Sequence, residues 1–463
     1  MHPVKIVIIG AGSASFGLNT LAKLIGSTKL NDSHLALVDC NAHALALVSQ
    51  LAEQLNREWG TGMHVSSHLH HQEALENADF VVLAIEVPPR EKLWKSDFEI
   101  PLKFGVRQPY AENGGPGGFI HAARNIGAVL GIARAMEQQC PTAWLINFTN
   151  PMVRICDAIH RFSKIKVVGL CHQILVGYSL VGITLAKELH FEIPAGITGS
   201  HATPDEIPLR RYVARQAIER LDIQAAGLNH FTWMLSLHDR KTGDDLYPLF
   251  LKRWSEMPPS FEPLTRRIFE IFGLFPIPGD EHMCEYLPWV SDLQTRPWEK
   301  YELSLYEWER WAEMRQQGYE RLQLMASGDE ALNDLRKADS EGALEIIENI
   351  AGCGDHYHQA VNLPNQGQIL NLPLDAIVET PGFISGAGVQ AVNTGELPGS
   401  IAELCRRELA VVRLGVDASV NGDRQTALQC LLLDPVITDI ETARQILDEY
   451  LLAYRETLPQ FWR

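Results

Sequence analysis

Two hydrophobic patterns alternate along the first 190 residues or so. One is the short unbroken apolar run: 6–9, 35–38, 79–85, 143–146 and 167–170 each read as a strand buried on both faces of a parallel sheet. The other, between those runs, sets apolar residues at helical spacing, as in Leu18, Leu21, Leu24 and Ile25. Helices are expected at 42–58, 120–136, from 152, and at 176–189, with a short strand near 64–65 and a short helix near 72–76. Such alternation predicts an α/β fold built on a doubly wound parallel sheet. The stretch 86–118 interrupts it, is rich in Gly and Pro, and reads as one long irregular loop, which in a compact domain is usually functional. From about 191 the alternation ends. Long helices are expected at 302–325, 342–351, 399–412 and 440–455, short strands between about 357 and 393, and a strand with a polar bend at 225–233. The pattern divides the chain into a domain at 1–190 and a closely packed α+β domain at 191–463, with no low-complexity linker between them. Trp289, Trp308 and Trp311 are expected in the core, the last two on one helix face.

Composition narrows the function classes. A chain of 463 residues that is 46% hydrophobic and 21% charged can bury a large core. Its net charge of −17 argues against nucleic acid or an anionic membrane surface as partner. No apolar run approaches the roughly 18 residues of a membrane span. The N terminus enters a strand at once, without a cleavage site, and the cysteines (40, 140, 156, 171, 284, 353, 405, 430) show no paired spacing. Both features suit a cytoplasmic protein.

Candidate chemistry sits where the strands end, the place where open α/β sheets bind ligands. The first strand runs into Gly10-x-Gly12, whose glycines let the backbone turn tightly and approach a pyrophosphate at a helix N terminus. The third glycine of the dinucleotide fingerprint is replaced by Ser15. The second strand ends in Asp39, placed to hold a ribose 2′-OH, which favours NAD over NADP. Gly10, Gly12, Ser13, Phe16, Asp39 and Ile85 make up the expected cofactor site of a Rossmann-type domain. Asn147 and Asn150 stand at the end of the fourth long run, Cys171 and His172 at the end of the fifth, and His230 and Asp280-Glu281-His282 follow at turns. A thiol beside an imidazole offers a nucleophile, a base or a metal site, and softness alone would suggest zinc.

Gly10-x-Gly12-Ser13, Gly114-x-Pro116-Gly117-Gly118, Asn147-x-x-Asn150-Pro151, Gly169-x-Cys171-His172 and Gly227-x-Asn229-His230, in this order, resemble the family-4 glycoside hydrolases. The resemblance covers residues 4 to about 290 and runs more loosely to the C terminus. It implies a lactate/malate dehydrogenase-like fold, hydrolysis of a small-molecule glycoside with NAD and Mn2+, and a homodimer or homotetramer. That family stands apart from the two-carboxylate scheme of most glycosidases. Carried over motif by motif, Cys171 and His230 would hold the metal, and Asn150, with Asn147 and His172, would meet substrate. Glu112 would protonate the leaving group, and Asp280 would remove the C2 proton. The implied route is C3 oxidation, C2 deprotonation, elimination, water addition and re-reduction. Cys-His, in place of Cys-Asn or Cys-Asp, resembles members acting on unphosphorylated α-hexosides such as an α-glucoside or α-galactoside. An α-galacturonidase or α-glucuronidase is the alternative within the family, and an NAD-dependent sugar or 2-hydroxyacid dehydrogenase outside it. The interval from Cys171 to His230 is longer than the family's usual spacing, with the excess near 191–222, so His201 competes with His230 as ligand.

Overall fold

The computed structural model describes residues 2–13, 17–197, 203–303, 306–337 and 341–463. Strand periodicity explains its central layer: Val7 and Ile9 point into one core with Val81, Leu83 and Leu145. Ile6 and Ile8 point into the other with Leu35, Val82 and Ile146. A sheet covered on both faces needs apolar residues at every position, which is what the unbroken runs supply. Lys5–Ile9 (β1), His34–Val38 (β2), His64–His68 (β3), Phe80–Leu83 (β4), Trp144–Asn147 (β5) and Lys166–Gly169 (β6) pair in parallel in the order β3-β2-β1-β4-β5-β6. The order reverses between β1 and β4, so the crevice for a ligand lies beyond the carboxyl ends of those two strands.

The same sheet continues into the second half of the chain. Leu221–Leu228 (β7), Phe231–Asp239 (β8), Phe275–Pro276 (β9), His356–Pro364 (β10), Ile377–Ser385 (β11) and Gly388–Ala391 (β12) extend it as β6-β10-β11-β7-β8-β9, with β12 on β11, to 12 strands. β10 joins β6 at Asn362↔Gly169, and β11 joins β7 at Glu379↔Gly227. These pairings align Gly169, Asn362, Glu379 and Gly227 in a row. Cys171, two residues past Gly169, and His230, in the two-residue turn between β7 and β8, therefore emerge at one edge.

Two sequence expectations change. The stretch 86–118 is not one loop, because Arg90–Lys103 is a helix whose buried Trp94, Asp97, Phe98 and Pro101 recur at helical spacing. Pro101 sits in its last turn, and the acidic and basic residues around the apolar ones obscure the period. The helix expected at 120–136 begins earlier, at Gly115, and runs to Gln139. Its first turn is Gly-Pro-Gly-Gly, read as loop because glycine is a poor helix former. Here the glycines permit close approach: a β-carbon on Gly118 would lie 2.2 Å from the Asn113 carbonyl oxygen.

The later helices form at Trp308–Ser327, Ala343–Gly352, Gly399–Asn421 and Ile440–Ala453. The segment after residue 191 contributes Ile207–Arg220, packed on Ile174–Thr184. Trp308 is buried and Trp311 stacks on Tyr306, but Trp289 is 49% exposed and lies on Phe272. Among the described residues, no helix is long and apolar enough to cross a membrane.

Candidate active site

The thiol and the imidazole meet. Cys171 Sγ lies 3.4 Å from His230 Nε2, although 59 residues separate them in sequence. His230 occupies the left-handed region (φ 64°) in the β7–β8 turn, and its Nδ1 is buried without a hydrogen-bond partner among the described residues. Burial, followed by His282 and His172, pushes His230 well below the usual imidazole range, so its ring is neutral and can offer a lone pair. Burial and then the Glu379 carboxylate push the Cys171 thiol well up. Behind the pair, Glu379 accepts from the amides of Asn229 (2.7 Å) and Asn362 (2.8 Å). This bonding ties the row of strands to the turn that carries His230.

A second group adjoins it. The His282 ring stacks on that of His230, with centroids 4.2 Å apart. His282 Nδ1 is 2.9 Å from Glu285 Oε1, while Glu285 Oε2 accepts from Asn113 N at 2.8 Å. Glu112, His282 and Glu285 bring possible ligand atoms within 4.8 Å of one another, the only such group among the described residues. Burial opposes a charge on His282, but the Glu285 hydrogen bond and the Glu281 carboxylate outweigh it and push His282 up to about 9.

Glu112 is fixed from several directions. Its Oε1 accepts from Asn150 Nδ2 and its Oε2 from Asn113 Nδ2, both at 3.2 Å. Arg90 Nη2 is 3.8 Å from Oε1, and Arg90 Nε is 3.9 Å from Glu86. His121 bridges the other side, with Nδ1 3.0 Å from the Glu112 main-chain oxygen and Nε2 2.9 Å from Glu86 Oε2. Burial disfavours its charge, yet the Glu86 carboxylate holds His121 above the usual range. One turn along the same helix, Asn125 donates to Glu86 and to the Asn150 carbonyl.

Asp280, expected as the C2 base, is not presented as one. Its side chain is fully buried, and its oxygens accept from the main-chain N–H groups of Leu264 (3.0 Å) and Thr265 (2.6 Å). It caps the helix Pro263–Phe272, whose first N–H groups have no partner within the helix. Burial and Glu262 push its carboxyl well up. Asn147, expected to touch substrate, is also fully buried. Its amide donates to Thr149 O and accepts from Thr149 N, so it shapes the turn that presents Asn150. His172 is exposed, with Nδ1 3.4 Å from Glu341. His201 and Phe16 lie outside the described residues.

At the cofactor loop, Gly10 has φ 91°, and a β-carbon there would sit 2.0 Å from the Ala84 carbonyl oxygen. Only glycine lets β1 turn this close to β4. Asp39 accepts from Gly12 N and Asn41 N, each at 2.8 Å, so the carboxylate is held at the end of β2. Ser13 N bonds back to Gly10 O, and Ile85 N donates to Thr149 Oγ1 where β4 ends. The left-handed glycine and the fixed Asp39 fit a dinucleotide. The paired thiol and imidazole, with oxygen donors of Glu112 and Glu285 nearby, fit a divalent cation that accepts hard as well as soft ligands.

Sequence reasoning did not single out Glu86, Arg90, His121, Glu285 or Glu379. His282 and Glu285 are three apart, a spacing that puts both on one face of a turn, and this was the available signal. The others are brought in from separate elements and left no local pattern.

Residues 5–185 match the family model for family 4 glycosyl hydrolase, and residues 225–437 match that for the family 4 glycosyl hydrolase C-terminal domain. The chain is 28% identical to an alpha-glucosidase of Erwinia rhapontici, with 96% of each chain covered. It is 29% identical to an alpha-galacturonidase of Bacillus subtilis (strain 168), with 97% of each covered. The crystal structure of lplD from Bacillus subtilis superposes with a TM-score of 0.83 at 26% identity, covering 97% of this chain and 100% of that one. The 6-phospho-beta glucosidase of Thermotoga maritima, solved with manganese, NAD+ and glucose-6-phosphate, superposes with a TM-score of 0.76 at 20% identity, covering 98% and 99%.

Proposed function

The chain belongs to family 4 of the glycosyl hydrolases, and from that premise we propose that it cleaves unphosphorylated α-hexosides, such as an α-glucoside or α-galactoside, with NAD and Mn2+. The observation that carries this reading is the approach of Cys171 Sγ to His230 Nε2 at 3.4 Å, next to the Glu112–His282–Glu285 group. Cys171 and His230 hold the cation; Gly10, Gly12, Ser13, Asp39 and Ile85 hold the dinucleotide. When bound, NAD would supply a hydride acceptor for C3 and the cation a Lewis acid beside it.

The chain's own residues then handle protons. Glu112, both of whose oxygens already accept amide hydrogens, takes the C2 proton at its carboxylate. His282 donates from its imidazolium to the leaving oxygen, since Glu285 fixes Nδ1 and favours the charged ring. This replaces the assignment of the base to Asp280 and moves the acid from Glu112 to His282. Asn150, turned outward by the Asn147 turn, orients a sugar hydroxyl.

A neutral sugar suits the charges. The cations in contact with the group are already paired: Arg90 with Glu86 and Glu112, His121 with Glu86, His282 with Glu285. None of these three cations is left unpaired for a 6-phosphate. A hexuronide is the second reading, favoured by Arg107. That guanidinium lies in the loop leading to Glu112, is 7% exposed, stacks on Trp298, and keeps one Nη buried without a hydrogen-bond partner among the described residues. The chain is further proposed to assemble as a homodimer or homotetramer.

The deciding experiment assays p-nitrophenyl α- and β-glucosides, galactosides and galacturonides, with and without a 6-phosphate, in NAD+ and Mn2+. Turnover of the neutral α-hexosides without net NADH is the expected result. Exclusive activity on 6-phosphoglycosides would sink the sugar assignment, and accumulating NADH would make the protein a dehydrogenase. Product formed in D2O is expected to carry deuterium at C2, since elimination exchanges that proton and direct displacement at C1 does not.

A further inference from the structure

Glu112 belongs to a closed ring of bonds and ion pairs. Its carboxylate faces Arg90 (3.8 Å), and Arg90 faces Glu86 (3.9 Å). The Glu86 carboxylate meets His121 Nε2 at 2.9–3.0 Å, and His121 Nδ1 returns to the Glu112 main-chain oxygen at 3.0 Å. Both ring nitrogens of His121 therefore face acceptors, which only a doubly protonated imidazole satisfies. Charges alternate around the ring, so neither Glu86 nor Glu112 is left opposite the other without a cation between.

The ring also joins separate pieces of chain. Glu86 follows β4 at the switch point, Arg90 opens the next helix, and His121 rises from the first turns of Gly115–Gln139. Glu112 sits on the loop between, where Ala111 is in the left-handed region (φ 60°). His121 is 2% exposed, and its two ring nitrogens are taken by Glu86 and by the Glu112 main-chain oxygen, so neither is left for a sugar. Asn125, four residues on, links Glu86 to the Asn150 carbonyl, which extends the frame to the second residue that holds the Glu112 carboxylate.

We propose that His121, clamped by Glu86, is a positioning residue that holds the Glu112 carboxylate against Asn150 in the reactive geometry. The inference rests on the proton-transfer role given to Glu112 above. Its chemistry requires no new reactant: His121 keeps its protons throughout, and only the placement of Glu112 depends on it. A loop displaced by about 1 Å at a reacting group can lower the rate by a factor of about 10².

The test uses the full-length protein with NAD+ and Mn2+ and the variants His121→Phe, Glu86→Ala and Glu86→Gln. His121→Phe and Glu86→Ala are expected to lower kcat by a factor of 10 to 100 while KM changes less than about threefold. Bound NAD and Mn2+ should stay at wild-type levels. Glu86→Gln keeps an acceptor for His121 and should recover most of kcat. A crystal structure of His121→Phe should show the Glu112–Asn150 hydrogen bond lost. If Glu112 remains bonded to Asn150, or if it moves and kcat is unchanged, the proposal is overturned. Should the wild type cleave none of the glycosides, the functional reading falls, while the position of Glu112 in the variant still decides the ring. Should His121→Phe not fold, Glu86→Ala against Glu86→Gln carries the same comparison.

Discussion

Asp280 shows how far a side chain's identity is from its role. A carboxylate two residues from His282 would be a reasonable base, but its oxygens are occupied by two main-chain N–H groups at a helix start. Asp280→Ala is therefore expected to cost roughly 1–2 kcal/mol of stability, the usual size for a lost N-cap. Deuterium incorporation at C2 should survive in the folded fraction. A loss of 10² or more in kcat at unchanged melting temperature would return Asp280 to the reaction. Cys171→Ser is expected to lose bound Mn2+ and activity together while keeping the far-ultraviolet circular dichroism of the wild type, because the thiol stands at a strand end. Full activity of Cys171→Ser in added Mn2+ would remove it from the metal site. His282→Gln should lose on the order of 10²–10⁴ in kcat yet retain NAD, as expected for a proton donor.

At the scale of elements, glycines and a half-buried histidine govern how the pieces meet. The first turn of Gly115–Gln139 presses on the Glu112 loop, so Gly118→Ala would place a carbon 2.2 Å from a main-chain oxygen that cannot swing aside. A cost of about 1–3 kcal/mol is expected, with kcat falling because the Glu112 loop must shift. A second element contact sets a pH dependence. His358 on β10 lies under Gly342, and burial, with His356 beside it, pushes it from 6.5 down to about 4. A histidine lowered in the folded state is charged first in the unfolded chain. Its contribution to stability is thus full above about pH 6.5 and is lost as pH falls towards 4. The melting temperature should decline through that window, and less steeply in His358→Gln; identical slopes would place the acid sensitivity elsewhere. The helix Arg90–Lys103 was not legible because Pro101 and its charged neighbours hide a period that packing confirms, and the start of the next helix was hidden by its glycines.

For the whole molecule, the two proposed cofactor sites draw on different stretches of chain, Gly10 to Ile85 and Cys171 to His230. Each ligand should stabilise the fold by mass action, by about 2.7 kcal/mol at a hundredfold excess over its dissociation constant. NAD+ and Mn2+ should therefore raise the melting temperature separately. Cys171→Ser should abolish the Mn2+ increment and keep that of NAD+. Loss of both increments would mean that the sites are built as one unit. The sheet gives a reason to expect separation, since β1 and β2 stand at least three strands from β6, which leads to Cys171, and farther from β7, which leads to His230.

The sequence by itself determined the α/β class, the strands of the parallel half, the Gly10–Asp39 loop and the pairing of Cys171 with a distant histidine in a family pattern. These are legible because a strand buried on both faces must be apolar at every position, and because a tight turn beside a neighbouring strand admits only glycine. Tertiary structure alone decided which charged groups face one another. Asn362 and Glu379, more than 190 residues after Cys171, enter the row beside Gly169 and Gly227 through strand pairing. Glu86, Arg90, His121 and Glu285 close around Glu112 from four separate positions in the chain. Asp280 was turned from base to cap by a helix that happens to start beneath it. Side-chain partners of this kind depend on where elements pack in space, and a charge's neighbours in space leave no period along the chain.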